Sequence, residues 1–159
     1  MNAKDAIRYL LESNQNMIGM YVSDLSDADL LVRPAPGANH IAWQLGHLII
    51  AEVNFFLPKV PGAKPAALPP GFVEQHSKDT VNSDSGFKTK DEYLKLFNTV
   101  RAATLATVDG LSDADLDKES GWQMAPTVGK VLLFIGSHDM MHAGQFTVVR
   151  RKLGKPVLF

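Results

Sequence analysis

The chain has 159 residues, 45% of them hydrophobic, a formal net charge of −1 and no cysteine. That length suffices for one domain, residues 1–159, with a core that needs no staples, and the missing cysteine excludes disulfides, zinc ribbons and thiol nucleophiles. The only basic cluster, Arg150 to Lys152, gives no reason to expect nucleic acid. Lys4, Asp5, Arg8 and Glu12 argue against a signal peptide, and no unbroken apolar run spans a bilayer, so a cytoplasmic protein without a membrane segment is expected.

Four long helical patterns follow in chain order. The first runs over roughly Ala3–Ser23 with Ile7, Leu11, Asn14, Ile18 and Tyr21 as its seam. The second runs over roughly Asn39–Leu57, with Asn39 as the expected N-cap and Pro58 closing it. Its stripe of His40, Gln44, His47, Ala51 and Asn54 is mostly polar, beside apolar Leu45, Leu48, Ile49 and Phe56. Residues Pro58–Lys88 are rich in proline and glycine, then polar. They read as a long crossover with at most a short helical turn inside, serving either topology alone or as a lid.

The third helix is expected over Lys90–Val108, with Tyr93, Phe97, Val100 and Thr104 on one face. The fourth is expected over Thr127–Leu153, stopped by Gly154 and Pro156. LSDADL occurs twice, at Leu25–Leu30 and Leu111–Leu116, each copy between two long helices and ahead of a glycine–histidine segment. Ser26 and Ser112 can cap short turns, with Asp29 and Asp115 three residues on. The fold expected is all-α: a four-helix bundle of two helical hairpins, with the long crossover between helices 2 and 3 and a pseudo-twofold relation between the halves.

In the fourth helix Val131, Ile135, His138, His142, Gln145 and Val149 follow a 4-3-4-3-4 seam. Two histidines four apart share one helical face and can hold one metal ion if other elements supply ligands. Burying them without partners costs on the order of a few kcal/mol each. His47, on the matching helix of the other half, is the natural third group. Gln145 is expected either to orient a ligand or a water or to pack against a neighbouring backbone, and Asn54 and Gln44 are candidates to line a pocket. Asp139 points about 100° away from His138, behind the ligands or on the surface. Glu52 is expected on the helix flank, His40 at the pocket mouth or on the surface, and His76 in solvent. Trp43 and Trp122 read as core or interface aromatics, and Gly144 as a site of close helix packing.

These residues resemble the DinB superfamily of four-helix metalloproteins. The resemblance rests on Trp43 with Gly46-His47-Leu48, on the run His138-Asp-Met-Met-His142-Ala-Gly-Gln145, and on Arg150-Arg-Lys-Leu-Gly154-Lys-Pro156. It implies that His47, His138 and His142 bind one divalent ion, zinc or nickel ahead of iron or manganese. It also implies a homodimer, and a transferase dependent on a low-molecular-weight thiol, or a hydrolase, acting on a small molecule. Three imidazoles leave a coordination position open, as catalytic sites do. Two other readings stand beside the enzyme: a non-catalytic or stress-response bundle whose metal is structural, and a bundle whose histidines hydrogen-bond each other.

Overall fold

The computed structural model describes residues 1–158, and Phe159 lies outside the described residues. The long helices are α1 (Ala3–Val22), α3 (Ile41–Ile50, prolonged by a π-helical segment, Ala51–Phe56, and a 3-10 turn, Leu57–Lys59), α5 (Lys90–Gly110) and α7 (Val128–Lys152). Short helices lie between them: α2 (Asp27–Leu30), α4 (Phe72–Gln75) and α6 (Asp113–Leu116). No β-sheet forms among the described residues; the single isolated bridge joins Glu119 to Thr127.

The LSDADL copies are α2 and α6. In each, the serine hydroxyl accepts from the backbone N–H three residues on, and that aspartate returns a bond to the serine N–H. A capping box thus satisfies backbone donors that a one-turn helix would otherwise leave exposed. Asn2 with Asp5 and Thr89 with Glu92 start α1 and α5 in the same way.

In the bundle, α1 packs on α5 and α7, and α3 packs on the same two. Each long helix therefore finds its main helical neighbours in the other half of the chain, which brings the α3 and α7 histidines to a common interface. Gly136 lets α1 and α7 approach: a Cβ there would stand 2.6 Å from Leu10 Cδ2. Asn14 seals the contact by donating to the Gly136 carbonyl at 2.7 Å.

Helix α3 is buried nearly all round, as expected of a core helix covered on its outer side. The cover is the crossover, which is strapped down. Phe72 is buried, Arg33 reaches Asp84 and the Ser83 carbonyl, and Trp43 Nε1 donates to the Ser77 carbonyl at 3.2 Å. The stretch Ile41–Lys59 is long and apolar enough to cross a membrane by length and composition, although Gln44, His47, Glu52 and Asn54 interrupt it. However, 67% of it is buried inside the bundle, and it carries the buried, ion-paired Glu52.

Candidate metal centre

All five histidines of the chain divide into two groups. His40 and His76 are satisfied structural residues. His40, not Asn39, is the N-cap of α3: its Nδ1 accepts from the Trp43 N–H at 3.1 Å, and its Nε2–H donates to the Ser83 carbonyl at 3.0 Å. It is buried, not at the surface, because the crossover folds over the start of α3. His76 is also buried, contrary to its expected solvation. Its Nδ1–H donates to the Phe72 carbonyl at 2.7 Å and its Nε2 accepts from the Tyr93 hydroxyl at 2.6 Å. The ring rests on Gly46, where a Cβ would stand 2.0 Å from it. Burial lowers the pKa of both histidines, and both bonding patterns require the neutral ring.

His47, His138 and His142 converge. Their ring centroids are 5.2 Å (47–138), 5.1 Å (47–142) and 4.8 Å (138–142) apart. One ligand nitrogen from each lies within 4.8 Å of the others, a set that could hold a metal ion. No hydrogen bond joins these rings among the described residues, which removes the reading in which they satisfy one another. Trp43 stacks on His47 at 5.1 Å with planes 9° apart, and the Phe56 ring meets His138 edge-on at 5.5 Å.

Gln44 decides the state of His142. Its Nε2 donates to the Asn39 carbonyl at 2.8 Å, so its Oε1 faces His142 as an acceptor, 2.9 Å from Nδ1. The proton of His142 is thereby on Nδ1, and the Nε2 lone pair is free. That atom is buried and has no hydrogen-bond partner. An orphaned acceptor is costly, and a cation is the partner its chemistry suits. Burial, aided by neighbouring histidines, pushes His142 down to about 3 and His138 down to about 4, and burial lowers His47. The three rings are neutral at pH 7, the form a metal requires.

Of the other expected residues, Gln145 and Gly144 fall outside the site, whereas Asn54 lines its opening. Gln145 is exposed and lies off the seam, so it orients nothing in the core. Gly144 is also exposed, with nothing within 4 Å of its Cβ position, so it does not serve close packing. Asn54 is exposed at the rim of the cleft beside His47 and His138.

Glu52 and Asp139 are both buried, not on a flank or the surface, and both accept from Arg101 Nη2, at 2.9 and 2.8 Å. Thr104 donates to the other Glu52 oxygen at 2.5 Å, and Arg101 Nη1 donates to the Leu11 carbonyl at 3.0 Å. Burial pushes Asp139 up to about 7, against the pull of Arg101 and helped by Glu52. Two carboxylates facing one guanidinium favour retaining a proton. This cluster ties the π-helical extension of α3 to α5 and α7. Sequence reasoning did not single out Arg101; its one signal was proximity to the seam residues Val100 and Thr104.

The DinB superfamily profile matches residues 10–146. No curated protein matches the sequence significantly. Among solved structures, a conserved protein from Enterococcus faecalis is similar with a TM-score of 0.72 at 15% identity, covering 98% of this chain and 99% of that one. YfiT from Bacillus subtilis, described as a probable metal-dependent hydrolase with an unusual four-helix bundle topology, is similar with a TM-score of 0.69 at 18% identity, covering 96% and 89%. At such identities these likenesses speak to the fold, and the profile match to the family: the chain belongs to the DinB superfamily.

Proposed function

We propose that His47, His138 and His142 bind one divalent ion, zinc or nickel ahead of iron or manganese. On this reading the protein is a metal-dependent enzyme acting on a small molecule, by hydrolysis or by thiol-dependent transfer. The observation that carries this is the buried, unpartnered Nε2 of His142, held with its lone pair free by Gln44 and flanked by two more neutral imidazoles. The description of YfiT, a structural neighbour, favours hydrolysis.

Three protein ligands leave a coordination position for water or substrate, and a bound ion acidifies a coordinated water or thiol enough to supply a nucleophile near neutral pH. The chain's own residues set the stage for this. Gln44 fixes the His142 tautomer, Trp43 holds the plane of His47, and the Phe56 ring keeps water from one side of His138. The chain has no cysteine, so any reacting thiol belongs to a second substrate.

The test is metal analysis beside circular dichroism on tag-free protein. Wild type should retain about one equivalent of metal after dialysis, and His142→Ala should lose it while keeping its helical spectrum, because the core packs without that ring. A folded His142→Ala that retains stoichiometric metal, or a wild type that takes up none, contradicts the proposal. An unfolded variant points to a structural ion instead.

A further inference from the structure

The histidine cluster opens on a cleft of about 420 Å³, within the range of small-molecule sites. Its floor holds His47 and His138, and its walls include Ile50, Phe55, Phe56, Trp122, Met124 and Phe134. The aromatics form one connected wall: Trp122 meets Phe55 at 5.2 Å and Phe134 at 4.8 Å, both edge-on. Among the described residues no Asp, Glu, Lys or Arg lines the cleft, and apart from the two histidines its polar groups are the Asn54 amide and the Trp122 indole N–H. Lys59 is held over the Phe55 ring at 4.2 Å and is not part of the lining. Phe55 and Met124 are 44% and 70% exposed at the mouth, an unusual cost for a surface that nothing covers.

From this lining we infer that the cleft receives the uncharged aryl or branched-alkyl body of the substrate, with its polar reacting group set against His47 and His138. The inference rests on the proposed metal site for the placement of that group, but the choice of body follows from the walls alone. An anionic body would find no cationic side chain among the cleft's walls to pair it, Lys59 being engaged on the Phe55 ring, and burying an unpaired charge is strongly unfavourable. A flat or branched apolar group instead gains contact with four aromatic rings.

Calorimetric titration separates the two claims. In metal-free protein 2-naphthamide should bind, 4-carbamoylbenzoate, which keeps the amide head but carries its charge on the body, should bind at least about tenfold more weakly, a difference of about 1.4 kcal/mol, and Phe55→Asp should abolish naphthamide binding. In zinc-loaded protein, benzohydroxamate should bind about tenfold more tightly than acetohydroxamate, the same zinc-binding head without the ring. Failure of naphthamide to bind, equal binding of 4-carbamoylbenzoate, or measurable but equal affinities of the two hydroxamates overturns the inference. If naphthamide binds as expected but neither hydroxamate responds to zinc, the metal reading fails and the apolar cleft stands. Absence of probe binding together with a dimer that Phe55→Asp dissociates assigns the surface to a second copy of this chain and also overturns the inference.

Discussion

The two ring nitrogens of His142 have different fates: Nδ1–H is held by Gln44, and Nε2 is buried with a free lone pair. Gln44 is in turn oriented by the Asn39 carbonyl, so a three-member relay from the backbone sets the protonation of a proposed ligand. Partners of this kind orient a ligand and raise its basicity. Gln44→Leu keeps the volume but removes the acceptor. It should leave the helical spectrum unchanged and weaken zinc about 10- to 100-fold, read by competition with a chelating dye. Unchanged affinity would show that Gln44 merely packs. Sequence spacing placed Gln44 on the stripe of His47 but could not reveal its partner, because that bond spans 98 residues of chain.

At the scale of the element, the helices and the histidine triad were legible because apolar residues recur with helical period. What the pattern hid was drift. A straight helix turns about 20° per heptad away from a strict 3.5-residue repeat. In α7 the buried line accordingly passes through Val131, Ile135, Asp139, His142, Phe146 and Val149, which leaves Gln145 outside and brings Asp139 in. In α1 it reaches Val22 in place of the half-buried Tyr21. In the second helix the π-helical segment Ala51–Phe56 resets the register just past His47, so Glu52 turns inward to Arg101 and Asn54 turns out. Local insertions of this type recur at functional sites, and periodicity alone cannot announce them.

The crossover was legible only as a loop. His76, which looked like a solvated loop residue, seats the crossover on Gly46 of α3. Ala at 46 would favour the helix by about 1 kcal/mol on propensity, but its Cβ collides with a buried ring. Gly46→Ala should therefore be destabilised by about 1–3 kcal/mol in urea unfolding. Adding His76→Ala should cost less in that background than in wild type, a coupling of about 0.5–3 kcal/mol. Additive effects, or a more stable Gly46→Ala, would show that the crossover does not need this contact.

For the whole molecule, every histidine has its pKa lowered, with burial as the leading cause. In the unfolded chain each would protonate near pH 6.5. In the folded, metal-free protein His138 and His142 resist protonation down to about 4 and about 3. On acidification the unfolded state thus binds more protons than the folded one. Stability is full above about pH 6.5 and falls as the pH drops toward those folded values. Urea midpoints of metal-free protein should decline between about pH 6.5 and 5, because the several histidines outweigh Asp139, which is raised to about 7 and takes up a proton in the folded state over the same range. A flat profile there would mean that the histidines are not held neutral. Metal ligation requires the same deprotonated state, so the bundle presents the three rings in the form that binds.

An open, three-imidazole metal site between α3 and α7 is what the histidine geometry proposes. X-ray absorption at the zinc edge, on protein loaded with one equivalent of zinc, tests it most directly. A shell of three imidazole nitrogens at about 2.0–2.1 Å is expected, with roughly one further light ligand that an added hydroxamate replaces. A shell made only of oxygens, or a closed set of four protein ligands that no hydroxamate perturbs, would contradict it.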